Sequence, residues 1–216
     1  MAITELIFPK IKPDQASLDE IERDWPIISK RLTDPNPGVL CAYRGWVLTE
    51  NGRNVREEHR EFLLFEWEKI ESFHAFIVSE QFKNFAASIR HLVTGPPTLQ
   101  LFDTNLSPKD AASASSIEIF RVTVPNAENA ETALKTWEAI SQKAKERYGD
   151  KVSVTYGKSQ NLDDEVVAGI IGWSKLEDCV PNNQEPALVD SLESLKCLGE
   201  LSNITVEIEP MDLPPS

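Results

Sequence analysis

The chain has 216 residues, of which 22 are basic, 35 are acidic and 41% are hydrophobic, for a formal net charge of −13. Such an acidic surface repels phosphate backbones and anionic headgroups, which disfavours nucleic acids and membranes as partners. No segment approaches the ~20 apolar residues of a membrane span, and the amino terminus does not resemble a signal peptide. Because Cys41, Cys179 and Cys197 form no C-x-x-C pair, we expect free thiols and a cytoplasmic protein.

The first 105 residues predict the element order β-α-β-β-α-β, which is the ferredoxin-like arrangement. Apolar residues spaced by three or four predict a first helix, which Pro26 should kink or restart. The Asn51-Gly52 dipeptide predicts a hairpin between the second and third strands. A second helix is predicted over residues 71–92, before Gly95-Pro96-Pro97. The predicted strands cover residues 3–11, 39–48, 61–70 and 98–103.

The second half repeats this order after a segment rich in Ser, Ala and Asp. We expect domains at residues 1–105 and 116–210, a linker at 106–115 and a tail at 211–216. In the second domain, strands are predicted over residues 117–124, 151–160, 166–175 and 204–209. Helices are predicted over residues 127–148 and 186–198.

Matched landmarks indicate an internal duplication. Trp67 and Trp173, each at the end of a predicted strand, are 106 residues apart, whereas Trp25 and Trp137 are 112 residues apart. The offset changes only in the hairpin, where insertions are tolerated. The predicted strands are apolar on both faces, so the open face of each sheet needs a cover. We therefore predict an α+β fold in which the two sheets pack together and close an intramolecular barrel.

The segment FLLFEWEKIESFHAFIVSEQFKNFAASI, residues 62–89, resembles the antibiotic biosynthesis monooxygenase-like group of the dimeric α+β barrel superfamily. The resemblance covers most of residues 1–105, and the tandem fused form is similar to fungal proteins. Relatives imply several functions: cofactor-independent oxidation of aromatic polyketides, cyclisation or decarboxylation of polyketide intermediates, or haem binding through a helical histidine. Others have no known reaction.

His74 is the first candidate catalytic residue, because a continuous second helix places it on one arc with Val78, Gln81 and Phe85. This arc is predicted to face inward, where an imidazole can act as a general acid or base, or as a haem ligand. A packed histidine is the structural alternative. Tyr43 is a second catalytic candidate, as a donor of a phenolic proton.

Four further residues are candidates for substrate binding. The resemblance places Trp67 in the wall of a pocket, although the recurrence at Trp173 favours packing. Arg44, on the strand face opposite Tyr43, can hold an anionic substrate or an acidic neighbour. Phe73 and Phe85 are predicted to contribute apolar surface. Phe73 stands where the quinone-forming relatives carry a Tyr, and the third strand lacks their Asn, so this pocket has few groups to direct oxygen chemistry.

Three functions therefore stay open. The first is a cofactor-independent enzyme, a monooxygenase or polyketide cyclase, acting on a hydrophobic aromatic or polyketide-type molecule in the first repeat. The second is a non-catalytic barrel that binds a small apolar ligand or a protein partner. The third is haem binding through His74. We predict no metal site and no nucleotide cofactor, since neither ligand spacing nor phosphate-binding glycine motifs occur. A pseudo-dimeric monomer and a further homodimer are both possible.

Overall fold

The computed structural model describes residues 2–174 and 186–213, with side chains of residues 186 and 187 excepted. Its strands, numbered β1 to β9 along the chain, are Ala2–Phe8, Val39–Glu50, Arg53–Asn54, Glu61–Trp67, Thr98–Thr104, Ser116–Val124, Val152–Ser159, Glu165–Trp173 and Glu200–Pro210. Its helices, α1 to α6, are Gln15–Thr33, Ile70–Ile77, Glu80–Ile89, Lys109–Ala112, Ala127–Tyr148 and Pro186–Leu198. The predicted Cys179 thiol lies outside the described residues.

Eight of the described strands form one closed antiparallel ring, in the order β2-β4-β1-β5-β7-β8-β6-β9 and back to β2. The short strand β3 pairs with β2 outside the ring. The two repeats join at two seams, β5 with β7 and β9 with β2. The predicted α+β fold, a fused dimeric α+β barrel, is confirmed.

Matched glycines occupy these two seams. A side chain at Gly45 would meet the backbone oxygen of Glu207 at 1.8 Å, and one at Gly157 would meet that of Asp103 at 2.2 Å. The chains approach too closely there for any Cβ atom, which explains why glycine recurs at the same place in both repeats.

The strands alternate between a barrel-facing and a helix-facing side. On β1, Leu6 belongs to the cluster inside the barrel, whereas Ile3 and Ile7 belong to the cluster beneath the helices. The segment predicted as a linker also contributes to the interior, because α4 places Ala111 and Ala112 there with at most 1% exposure. The apolar second face of each sheet is thus covered by the other repeat and by α4.

The predicted restart of the first helix and the predicted single helix over residues 71–92 were wrong. Helix α1 runs through Pro26, which lies on its exposed side, where water can satisfy the carbonyl that proline leaves without a donor. A kink at Pro26 stays a prediction. The predicted helix over residues 71–92 is two helices, α2 and α3. Ser79 caps α3 by accepting a hydrogen bond from the Phe82 amide (3.1 Å), and its hydroxyl donates to the Phe76 carbonyl (2.6 Å). These local hydrogen bonds compete with a continuous helix.

None of the helices in the described ranges 2–174 and 186–213 is both long enough and apolar enough to cross a membrane.

Candidate functional site

A cavity of about 720 Å³ lies in the first repeat between the helix-facing side of β1, β4 and β5 and the helices α2 and α3. Aromatic rings from strand β4 and from both helices dominate its lining: Phe65, Trp67, Phe73, Phe76, Phe82 and Phe85. Leucine and isoleucine side chains complete the apolar surface. Its size falls within the range typical of pockets that enclose small molecules.

The break between α2 and α3 gives the cavity its aromatic wall. Phe73 and Phe76 belong to α2, and Phe82 and Phe85 belong to α3. Phe76 and Phe82 still touch across the break, with ring centroids 5.4 Å apart. Both short helices therefore contribute aromatic rings to the lining.

Glu5 is the one carboxylate in the described lining of this cavity. It lies on β1 opposite Phe65 of β4 and is 2% exposed. Its Oε2 atom accepts a hydrogen bond from the indole Nε1 of Trp67 at 2.8 Å. Burial raises the pKa of Glu5 from 4.5 to about 7, and the Trp67 hydrogen bond opposes this rise by stabilising the anion. A carboxyl with a pKa near neutrality can accept and return a proton under physiological conditions.

Trp67 is held by the aromatic residues around it. Its ring meets Phe73 edge to face at 5.7 Å and Phe76 at 5.6 Å. Because these contacts fix the indole plane, the N–H stays directed at the Glu5 carboxylate. Trp67, Phe73 and Phe85, three of the predicted substrate-binding residues, thus lie together in one cavity.

The second repeat contains the same Glu–Trp pair, on a sheet over which Trp137 packs. Trp173 donates its indole N–H to Glu118 at 3.2 Å, on the matching strands β8 and β6. Tyr148 of α5 packs against Trp173 at a centroid distance of 5.1 Å. Trp137 of α5 is fully buried, and its ring lies within 2.3 Å of where a side chain at Gly169 would begin. The indole of Trp137 therefore occupies the space above Gly169.

The corresponding positions of the first repeat have other neighbours. Leu63 is at the place of Gly169 and lines the cavity. Trp25, at the place of Trp137, instead lies beside the Arg44 guanidinium, whose carbon is 3.9 Å from the ring centroid. The duplicated tryptophans thus have different neighbours, because Trp137 packs over Gly169 and Trp25 packs on Arg44.

The prediction that His74 faces inward is wrong. His74 is exposed on α2 and is not part of the cavity lining; its ring contacts Phe73 at a centroid distance of 5.4 Å. The prediction assumed a single helix, with one continuous periodicity, from residue 74 to residue 85. In the structure the first helix ends at Ile77 and a new one begins at Glu80. Val78, on the same predicted arc, is 69% exposed.

Tyr43 lies in the barrel interior, on the opposite side of the sheet from the cavity. Its hydroxyl and that of Ser113 are 3.0 Å apart, and burial raises the pKa of the phenol. Arg44 faces the helices, as its alternation with Tyr43 predicted, but it forms ion pairs with Glu22 and Glu61. Of its two predicted partners, the acidic neighbour is the one present. Arg44 lines a separate groove of about 760 Å³ beside α1.

The donor atoms of the cavity do not suit a haem iron. Among the described residues the lining contains no His, Cys, Met or Tyr side chain. No group of three metal-binding side chains occurs anywhere in the described ranges. Haem binding through His74 would therefore have to take place on the outer surface of α2.

Glu5 was missed from the sequence. Its place in the strand could have identified it, because Glu5 alternates with Ile3 and Ile7 on the buried face of β1. A second acid, Glu118, recurs at the matching place in β6. In both repeats, an apolar strand that contains one acid is predicted to lie beside a strand that ends in Trp. This recurrence predicts a buried Glu–Trp pair.

No family model and no curated protein matches the chain. Solved structures do match, at sequence identities that show a shared fold alone. A candidate monooxygenase from Lactobacillus acidophilus is 10% identical, with 98% of this chain and 99% of that chain aligned and a TM-score of 0.62. An anthrone oxidase-like protein is 12% identical, with 97% of this chain and 92% of that chain aligned and a TM-score of 0.63.

A mutant chlorite dismutase from Candidatus Nitrospira defluvii, in complex with cyanide, is 12% identical; 96% of this chain and 91% of that chain align, with a TM-score of 0.59. The alignments span both repeats. The fold resembles that of these monooxygenase-like α+β barrel proteins over the whole chain, as the sequence resemblance predicted.

Proposed function

We propose that the chain is a cofactor-independent enzyme that binds a hydrophobic aromatic molecule of polyketide type in the first-repeat cavity and uses Glu5 as its general base. The observation that carries this proposal is a buried carboxyl with a pKa of about 7 in a cavity otherwise lined largely by aromatic and aliphatic side chains. Perturbed carboxyl groups in apolar clefts are typical of acid–base sites.

The proposed chemistry begins with a proton transfer. Glu5 removes a proton from an acidic C–H or phenolic O–H of the ligand, and the electron pair of that bond stays on the aromatic system. Trp67 donates a hydrogen bond to the Glu5 carboxyl and stabilises its ionised form. The aromatic wall excludes water, so that the ligand anion is available for a second reactant.

Dioxygen as that reactant gives the monooxygenase outcome. An activated methylene group and one molecule of O₂ yield a carbonyl group and one molecule of water, and the ligand supplies the electrons. The names of the structural neighbours, a monooxygenase and an anthrone oxidase-like protein, favour this outcome over cyclisation. They also favour an aromatic ketone with an acidic methylene as the first compound to test.

The test is oxygen consumption with anthrone as the probe. We expect turnover by the unmodified protein and a loss of about 100-fold or more in Glu5→Gln, which keeps the shape and hydrogen-bonding capacity of the side chain but cannot accept the proton. Glu118→Gln, at the matching place in the second repeat, is the control and should retain full turnover. Equal rates for Glu5→Gln and the unmodified protein would refute the assignment of Glu5.

A second candidate function is binding of an apolar ligand without catalysis. The predominance of aromatic and aliphatic side chains in the described lining favours it. Saturable binding of anthracene-type compounds, with no turnover of anthrone or of related phenols in the unmodified protein, would support this function instead.

A further inference from the structure

The charges around the first-repeat cavity differ in sign from those of the protein as a whole. The chain has a net charge of −13. The described lining nevertheless contains three cationic side chains, Lys10, Lys83 and Arg90, against one acid, Glu5. The three cations are exposed, whereas Glu5 is buried among the apolar side chains. The cavity thus has an apolar body and a positively charged rim.

Two of the three cations have their charge available to a ligand. Lys83 is paired with Glu80, with Nζ and Oε1 2.6 Å apart. Within the described residues, no carboxylate lies within 4.0 Å of the Lys10 ammonium or the Arg90 guanidinium.

The backbone connects the two cations through the segment that contains Thr94. Lys10 follows β1, and its carbonyl accepts a hydrogen bond from the Thr94 amide at 2.7 Å. Arg90 directly follows the last residue of α3. The segment from Val93 to Pro97, which begins three residues after Arg90, also lines the cavity. This arrangement keeps both positive charges at the rim while the aromatic rings remain inside.

We propose that the ligand is an amphipathic anion: a flat aromatic body that enters the cavity and a carboxylate that stays at the rim beside Lys10 and Arg90. The inference rests on the proposed function only in taking this cavity as the ligand site, and it adds the class of substrate, an aromatic carboxylic acid. Charge complementarity at the rim orients the ligand, and burial of its rings supplies most of the binding free energy.

The test compares two ligands of equal shape, anthracene-2-carboxylate and anthracene-2-carboxamide, by fluorescence titration at low salt. A solution at about pH 6 keeps the acid ionised while Glu5 is mostly protonated. We expect the acid to bind about tenfold more tightly than the amide, and the preference to weaken as salt is added. In the double variant Lys10→Gln, Arg90→Gln, the preference should fall to about twofold or less.

The control is the double variant Lys135→Gln, Lys145→Gln. It removes the same charge from the exposed side of α5 and should keep the preference. Equal binding of acid and amide to the unmodified protein, or a preference that survives the rim substitutions, would overturn this inference and leave the proposed function standing. Failure of both compounds to bind would overturn both.

Discussion

The indole N–H of Trp67 donates a hydrogen bond to Glu5 at 2.8 Å, and the indole N–H of Trp173 donates to Glu118 at 3.2 Å. The two pairs occupy matching places in the two repeats, each linking a first strand to the strand beside it. Only the first pair borders the aromatic cavity described above. Any substitution in the first pair therefore has a structurally matched control in the second.

Trp67→Phe should raise the pKa of Glu5, because it removes the hydrogen bond that stabilises the carboxylate while keeping an aromatic ring. Glu5 must be ionised to act as a base, so the rate should increase with pH through about 7 in the unmodified protein. In the variant, the increase in rate should occur at a pH about one to two units higher. The measurement is the pH profile of anthrone oxidation.

Trp173→Phe is the control for this shift and should leave the pH profile in place. An unchanged profile in Trp67→Phe, despite retained folding, would show that Glu5 does not set the pH dependence.

Glu5→Gln should stabilise the fold at high pH. The pKa of Glu5 is raised on folding, so its contribution to stability is fully present below the unfolded value of 4.5 and is lost as pH rises through about 7. The variant and the unmodified protein should therefore be similarly stable at about pH 4. At about pH 8 the variant should be more stable, by up to about 3 kcal/mol. Urea unfolding at several pH values measures the difference.

Glu50→Gln should change the pH dependence of stability in the opposite direction. The hydrogen bond and charge of Arg60 lower the pKa of Glu50, so its contribution is present above the unfolded pKa and is lost as the solution is acidified. This variant should be destabilised at neutral pH and not in acid. A Glu5→Gln variant that behaves like Glu50→Gln would contradict the raised pKa.

His74→Ala should retain turnover within about twofold of the unmodified protein, because surface substitutions away from a site have small effects. The side chain is exposed and outside the cavity lining. Steady-state rates with anthrone provide the measurement, and a haem titration followed in the Soret region tests the third function at the same time. A loss of turnover comparable to that in Glu5→Gln would restore His74 as the catalytic candidate.

Ala86→Leu should weaken ligand binding without unfolding the protein. Ala86 lies on α3 in the cavity lining and is partly exposed, so a larger side chain can extend into the empty space. We expect the affinity for anthracene-2-carboxamide to fall by about fivefold or more, because the ligand then buries less apolar surface in the cavity. Ala75→Leu, on the exposed side of α2, is the matched control. Unchanged affinity in Ala86→Leu would place the ligand elsewhere.

The sequence by itself determined the fold. Element order, the matched tryptophans and strands that are apolar on both faces were sufficient to predict two ferredoxin-like repeats closed into a barrel, because these features depend on local propensity and on burial. The sequence and its family resemblance also named Trp67, Phe73 and Phe85 as candidates for substrate binding, and the structure places all three in one cavity. It did not predict that the segment over residues 106–115 would enter the barrel through Ala111 and Ala112.

Tertiary structure decided which residue carries the candidate chemistry. His74 was selected by assuming one continuous helix through Ser79. In the structure, two hydrogen bonds of the Ser79 side chain separate α2 from α3 at this point. Glu5 acquires its raised pKa from burial beneath α2 and α3, and burial of a carboxyl depends on what packs over it in space. The sequence aligns Gly169 with Leu63, but only the packing shows that the Trp137 indole lies over Gly169 whereas Leu63 lines the cavity.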